Sequence, residues 1–249
     1  MEAVLMRGDC MEELDHVLAE SVDVIVTDPP YSSGGTFARD RALDSRDKYT
    51  DTGYRGAARF PSFVGDSMDQ LSFSASLRSV LFRGREKLVP GGIAAVFSDW
   101  RQLPAVASAL QAAGLVWRGI VVWDKGTSRP TPDRWRNDCE YVVWGTNGAR
   151  PAKMVRGCRS LPGCIHCPGV SSRHRHHQTE KPVALMEQLL QIAPEGGTVL
   201  DMYMGSGSTG VAAMRLGLDF LGIELDPGYH QTASRRIHEA RDLALAARS

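Results

Sequence analysis

Short apolar runs, rich in β-branched residues and nearly free of charge, alternate with helix-period segments over most of this chain. That alternation restricts the fold to an α/β class built on a largely parallel sheet. Strands are expected at 4–6, 22–27, 93–97, 119–123, 140–144, 198–202 and 219–223, seven in all. Helices are expected at 11–20, 68–87, 103–113, 183–192, 210–216 and 227–247. The run Val22-Asp23-Val24-Ile25-Val26-Thr27 carries a single charge, so it reads as a strand covered on both faces. Pro182 sits where a first helical turn tolerates a missing N–H, and Gly114 stops the third helix. A glycine turn, 90–92, precedes the third strand.

Two stretches break this rhythm. Residues 32–66 are glycine-rich and charged with both signs, and a loop of that length inside a compact domain is usually functional. Residues 145–178 carry many Gly and Pro and no apolar period, and read as an irregular excursion. The chain holds 29 Lys/Arg and 29 Asp/Glu, yet residues 127–182 hold ten Lys/Arg against four Asp/Glu. A neutral body with one basic segment fits local contact with phosphates. The plainer alternative is a solvated loop.

Hydrophobic residues make up 43%, enough for a core and too many for a disordered chain. No apolar run approaches the ~18 residues that span a bilayer, and no leader-like segment opens the sequence. A soluble, cytoplasmic protein without a membrane partner is expected. The five cysteines are an odd count with no secretory context, so free thiols are expected rather than disulfides. Cys158, Cys164 and Cys167 cluster near His166 without a second Cys-x-x-Cys pair. Loop thiols are therefore expected ahead of a metal site, and no metal ligand is assigned.

The segment Asp201-Met202-Tyr203-Met204-Gly205-Ser206-Gly207-Ser208-Thr209-Gly210 joins a strand to a helix. Its glycines let the backbone approach a ligand, and the helix start offers free amides. A plain strand–helix joint reads similarly, but a second feature supports a ligand. The strand at 219–223 runs into Glu224, placed where an acid accepts hydrogen bonds from two ribose hydroxyls. A nucleotide-type ligand follows, without a choice among such ligands. His177-Gln178-Thr179-Glu180-Lys181-Pro182 brings a hydroxyl and a cation that could meet a carboxylate. Alternatively, Thr179 is an ordinary helix cap.

Asp28-Pro29-Pro30-Tyr31 ends the strand at 22–27. Read structurally, it is a rigid turn. Read chemically, it suits an exocyclic amine on a nucleobase, whose lone pair is delocalised into the ring. Such a nitrogen becomes a better nucleophile when acceptors hold its hydrogens and draw it toward tetrahedral geometry. The Asp28 carboxylate and the Pro29 carbonyl supply two acceptors, and the prolines fix the carbonyl direction. The Tyr31 ring offers a face for a base taken out of the duplex.

With these motifs the chain resembles the amino DNA methyltransferases of the beta arrangement, in which the catalytic motif precedes the cofactor motif. Asp28-Pro29-Pro30-Tyr31 matches the family's catalytic motif. Asp201 to Gly210 matches its cofactor turn, with Met202 where proline is commoner and Tyr203 where phenylalanine is commoner. Glu224-Leu225-Asp226 matches the ribose-binding strand end, and His177 to Pro182 the segment near the cofactor's methionine part. Gly8-Asp9-Cys10 resembles the segment near its adenine. Trp123-Asp124-Lys125 and Asp99-Trp100-Arg101 resemble further strand ends on the same face.

The resemblance implies a Rossmann-like S-adenosylmethionine-dependent methyltransferase fold. Its sheet would be seven-stranded and mostly parallel, with helices on both faces and a circularly permuted motif order. It implies S-adenosylmethionine as cofactor and double-stranded DNA as substrate, and it allows a homodimer. Asp28, Pro29, Pro30 and Tyr31 would be catalytic. Cofactor contacts would come from Asp9, Cys10, Asp28, Gln178, Thr179, Lys181, Asp201, Tyr203, Gly205, Ser206, Gly207, Thr209, Glu224, Leu225 and Asp226. Residues 1–144 and 177–249 would form the catalytic domain, and 145–176 a target-recognition insertion. Arg150, Lys153, Arg156, Arg159, Arg173 and Arg175 would contact DNA, and residues 32–66 would form a mobile loop facing it. An aspartate before the two prolines favours adenine N6 as the methylated atom, with cytosine N4 as the alternative. Protein glutamine methyltransferases use a similar motif in the opposite order. A silent DNA-binding homologue fits poorly with an intact Asp28.

Overall fold

Fifteen elements run through a computed structural model that describes residues 1–31, 68–126, 132–133, 135–151, 160–170 and 180–247. In chain order they are β1 (Ala3–Arg7), α1 (Cys10–Glu13), a 3-10 turn (Leu14–His16), β2 (Val22–Thr27), α2 (Gln70–Lys87) and β3 (Leu88–Ser98). There follow α3 (Leu103–Ala112), β4 (Val116–Asp124), β5 (Cys139–Thr146), β6 (Cys164–His166) and α4 (Val183–Leu190). The chain ends with β7 (Thr198–Asp201), α5 (Ser208–Leu216), β8 (Asp219–Glu224) and α6 (Pro227–Ala246). The expected loop at 32–66 lies outside the described residues.

The strands form one sheet in the order β1-β8-β7-β2-β3-β5-β4-β6. Every neighbouring pair is parallel except those made by β5, which runs antiparallel to both β3 and β4. Side chains alternate across the sheet with period two. Val24, Val26, Ile93, Ala95 and Phe97 enter the core under α4, α5 and α6. Ile25, Ala94, Val96 and Leu200 enter the core on the other face, with α2 and α3. Both faces of β2 and β3 are therefore dry, which is why their sequences show almost no polar alternation.

Three elements differ from the sequence reading, each for a physical reason. The expected helix at 11–20 stops after one turn and a 3-10 turn. Leu14 and Val17 are buried but Leu18 is exposed, so the apolar stripe does not continue, and Glu20 turns left-handed at φ 52°. The glycine turn expected at 90–92 lies inside β3, where the register against β2 shifts between Val22 and Val24. Gly91 sits there at φ 81°, and a side chain on it would meet Pro151. Within the expected excursion at 145–178, residues 164–166 form an eighth strand parallel to β4. A three-residue strand is too short to show a period. It is held by the burial of Ile165 and by the Trp123 Nε1–H, which donates to the Cys167 carbonyl at 2.7 Å.

Candidate active site

Four neighbouring parallel strands, β1, β8, β7 and β2, end on one edge of the sheet. The segments leaving them line a cavity of about 490 Å³. Gly8, Asp9 and Cys10 come from β1, Asp28 to Tyr31 from β2, Asp201 to Ser206 from β7, and Glu224 to Asp226 from β8. The carboxyl edge of an open parallel sheet is where such folds hold ligands, because the strand-to-helix turns there expose backbone amides. The strand that leads into one motif meets the first residue of the other: the Thr27 hydroxyl donates to Asp201 Oδ1 at 3.0 Å, across 174 residues of chain.

Asp201 shapes the glycine turn. Its Oδ1 also accepts the Tyr203 N–H at 3.1 Å, and its Oδ2 accepts the Thr209 hydroxyl at 2.6 Å. Burial pushes its carboxyl up to about 7 against the pull of these hydrogen bonds. The folded chain therefore holds a proton there that the unfolded chain has released, over the window from 3.8 to about 7. This group's contribution to stability falls as pH rises through that window. Asp201→Asn should flatten that part of the slope, read as unfolding free energy by urea titration from pH 4 to 8. Parallel wild-type and variant curves would refute the assignment.

Gly207 caps α5 at φ 86°, in the left-handed region, and a Cβ there would lie 3.0 Å from the Ala233 backbone. Both conditions require glycine. The methionines flanking Tyr203 pack into opposite layers. Met202 is buried against Gly84 of α2, and Met204 against Gly222 of β8. Met202 thus secures the turn by packing where a proline would do so by stiffness. Across the cavity, burial pushes the Cys10 thiol up to about 11, with a hydrogen bond from Tyr203 opposing it. Asp9 caps α1 by accepting the Met11 N–H at 2.8 Å. Glu224 accepts the Gly205 N–H at 2.7 Å and the Asp226 N–H at 2.8 Å, tying the two ligand-facing turns together. Asp226 in turn caps α6 through the Gly228 and Tyr229 N–H groups, a contribution of about 1 kcal/mol.

The acid of the Asp-Pro-Pro-Tyr turn has a cation against it. Lys181 Nζ stands 2.5 Å from Asp28 Oδ2 and 3.4 Å from Glu140 Oε2. The Tyr31 hydroxyl donates to Glu140 Oε2 at 3.1 Å, and Lys125 Nζ donates to Glu140 Oε1 at 3.3 Å. The ammonium of Lys181 also lies 5.1 Å from the Tyr31 ring centre and 5.2 Å from that of Phe97, a favourable arrangement for a desolvated cation. Asp28 Oδ1 is buried and has no hydrogen-bond partner among the described residues. Burial raises the Asp28 carboxyl above its ordinary value; Lys181 pulls it down and Glu140 pushes it back up. Burial also works against the Glu140 charge, but Lys181 and Lys125 outweigh it and hold that carboxyl low.

The cavity thus gathers Asp9, Cys10, Asp28, Pro29, Pro30, Tyr31, Lys181, Asp201, Tyr203, Gly205, Ser206, Thr209, Glu224, Leu225 and Asp226. Gly207 stands behind its wall as the α5 cap. Gln178, Thr179, Lys153, Arg156, Arg159, Arg173, Arg175 and Cys158 lie outside the described residues. Arg150 does not join the cluster. It follows Asn147, which pairs with Gly91 near the start of β3, at the opposite edge of the sheet from Asp28. The sequence reading missed two residues. Glu140 reaches the cavity edge because β5 runs backwards, so its first residues arrive where the parallel strands end. Arg236 of α6 donates to the Ser206 carbonyl at 2.6 Å and pairs with Glu180 at 2.8 Å. It clamps the glycine turn to the segment that carries Lys181.

The DNA methylase family model for N6 and N4 enzymes matches residues 22–235. Among curated proteins, YubD of Escherichia coli strain K12, a methylase by name, is 29% identical over 93% of this chain and 88% of its own length. The type II methyltransferase M2.DpnII of Streptococcus pneumoniae is 25% identical over 94% and 89%. Among solved structures, the M1.HpyAVI–SAM complex superposes with a TM-score of 0.66 at 24% identity, covering 94% of this chain and 98% of that one. The cytosine-N4-specific PvuII DNA methyltransferase superposes at 0.68 and 16% identity, covering 99% and 93%. No helix of the described residues is long and apolar enough to cross a membrane. By the span of the family match, the chain belongs to the DNA methylases of the N6/N4 type.

Proposed function

We propose that this protein is a site-specific DNA methyltransferase that carries a methyl group from S-adenosylmethionine to the N6 amine of adenine in double-stranded DNA. The observation that carries the choice of adenine is the acid itself: a carboxylate, Asp28, stands before the two prolines, beside the glycine turn. The cavity fits the cofactor. Its volume of about 490 Å³ falls within the range of roughly 300–1,000 Å³ typical of small-molecule sites. Glu224 stands where ribose hydroxyls are held, and each of its oxygens keeps a lone pair after accepting one backbone N–H. Gly205 and Ser206 offer close backbone, and Cys10 and Tyr203 offer a wall for the adenine. When bound, S-adenosylmethionine supplies an electrophilic methyl group.

The chain's own residues then prepare the acceptor. Asp28 and the Pro29 carbonyl take the two amino hydrogens of the target base and hold the nitrogen lone pair toward the cofactor side of the cavity. The upward shift of the Asp28 carboxyl makes it a stronger acceptor and suits it to receive the proton that the methylated amine sheds. Residues 145–176 read the DNA, with Lys153, Arg156, Arg159, Arg173 and Arg175 as phosphate contacts and residues 32–66 closing over the duplex. A cytoplasmic setting and a homodimer are compatible with this reading.

Expression in a host that lacks DNA methylation, followed by modification-sensitive single-molecule sequencing, tests the proposal. Methylated adenine within one short motif is the expected result. Methylated cytosine would move the acceptor to N4, and an unmodified genome alongside soluble, cofactor-binding protein would remove the activity. The cofactor assignment has its own test. Glu224→Ala should raise the dissociation constant for S-adenosylmethionine about tenfold or more, since a hydrogen bond to a charged group contributes about 1.5–3 kcal/mol. An unchanged constant in calorimetric titration would undo the ribose assignment.

A further inference from the structure

Four charged or polar side chains from three separate places gather around Lys181, three of them against its ammonium and Lys125 through Glu140. Asp28 and Tyr31 leave β2, Glu140 opens β5, and Lys125 follows β4. Lys181 reaches two carboxylates at once, Asp28 at 2.5 Å and Glu140 at 3.4 Å, and its side chain is 6% exposed. Glu140 has both oxygens engaged, one by Lys125 and one by Tyr31 and Lys181. Asp28 has Oδ2 on Lys181 and an Oδ1 that no described residue meets in hydrogen-bond geometry. The Tyr31 hydroxyl, donated to Glu140, still stands near enough to draw the Asp28 carboxyl down. The arrangement is asymmetric, and the asymmetry matters for the reaction.

With Lys181 as its sole partner, Asp28 would form a closed ion pair. A carboxylate whose charge is fully matched is a weaker acceptor for an incoming N–H. Glu140 divides the cation's attention. We infer that Glu140 is a positioning residue for methyl transfer: it shares Lys181 with Asp28, keeps Tyr31 in place through its hydroxyl, and so leaves Asp28 Oδ1 an uncommitted, strongly accepting atom for the target amine. This inference rests on the amino-methyltransferase reading and does not depend on which base is modified.

The groups that face Asp28 and Glu140 are Lys181 from the segment before α4, Lys125 after β4, Tyr31 after β2, and Asp201 at the end of β7. Removing the Glu140 charge removes a like charge near Asp28, so the Asp28 carboxyl should lose its proton at lower pH. Glu140→Gln preserves shape and can still accept from Tyr31 and Lys181, so it changes charge with little change in packing. Lys125→Met removes a cation beside Glu140 and should move Asp28 the other way.

The experiment follows the Asp28 carboxyl by carbon-13 NMR in cofactor-free protein labelled at aspartate, with Asp28→Asn identifying the signal. In Glu140→Gln the titration should move down by about one pH unit, equivalent to about a tenfold change in proton affinity. In parallel, tritiated S-adenosylmethionine and genomic DNA from an unmethylated host give kcat and its pH profile. There kcat should fall about tenfold and the acid limb should move down with the carboxyl, while the cofactor dissociation constant stays put. In Lys125→Met the carboxyl and the acid limb should both move up. Unmoved titrations in both variants would overturn the inference, and so would a Glu140→Gln enzyme with wild-type kcat and acid limb. If wild-type protein transfers no methyl group to either base, the functional reading fails. The titration would still decide whether Glu140 acts on Asp28.

Discussion

Asp28→Asn should abolish methyl transfer and leave S-adenosylmethionine binding intact. The substitution is nearly isosteric, so packing beneath the two prolines is kept. Its effect comes from the hydrogen-bond inventory. Lys181 is a pure donor and stands on Asp28 Oδ2 at 2.5 Å, so the carboxamide would turn its oxygen toward that ammonium. The remaining position, occupied by the unpartnered Oδ1 in the wild type, would then present an NH₂ group. An incoming base amine would meet a donor where it needs an acceptor, and no group would remain to receive its proton. Losing one well-placed polar contact to a reacting centre costs about a hundredfold to a thousandfold in rate, and here acceptor and charge are lost together. Incorporation of labelled methyl groups into unmodified genomic DNA measures the rate, and calorimetry with the cofactor checks the fold. A variant that still turns over at more than about a tenth of the wild-type rate would remove Asp28 from the mechanism.

Where local chemistry dictates structure, the fold was open to reading from the chain. The run at 22–27 is dry on both faces, and its period-free apolar character follows from that. The turn at 201–210 needs glycine because of a left-handed cap and a close approach to α6, both properties of a single position, Gly207. The eighth strand escaped because three residues, one of them buried, carry no period. The helix at 11–20 was overextended because Leu18 looks apolar in sequence and is exposed in the fold.

Within the site, residues inside contiguous motifs were legible, and those recruited by topology were not. Glu140 is a single acid at the head of a strand, with nothing beside it in sequence to distinguish it from a solvated charge. Its place depends on β5 being the one reversed strand among those described, which delivers its first residues to the edge where the parallel strands end. Arg236 lies on a helix crowded with other charges. Only the packing of α6 against the glycine turn picks it from its neighbours. Lys181 was legible as a cation of the cavity, but its partners were not. The segment around it suggests a hold on a carboxylate of the ligand, whereas its ammonium stands between two carboxylates of the protein.

That position makes Lys181→Met the substitution with the largest expected effect on stability. The methionine would fill the space of the aliphatic stem and leave Asp28 and Glu140 facing each other without their shared cation. Their side chains are 21% and 19% exposed, so water screens the loss only in part. Breaking a buried ion pair by removing one partner costs about 3–5 kcal/mol. In the wild type Lys181 is held above its ordinary 10.5: burial opposes its charge, and Asp28 and Glu140 more than offset that. Its stabilising contribution is therefore complete below pH 10.5 and is lost only as pH rises through the higher folded value. In the variant the sign reverses. Asp28, largely desolvated and left without a cation, binds its proton more tightly in the folded chain than its ordinary 3.8, while Glu140 keeps only Lys125. The variant should thus lose further stability as pH rises above that value and regain part of it on acidification. Urea unfolding at pH 5 and pH 8 measures both effects. A variant within about 1 kcal/mol of wild type at pH 8 would mean that the three groups are better solvated than their burial indicates.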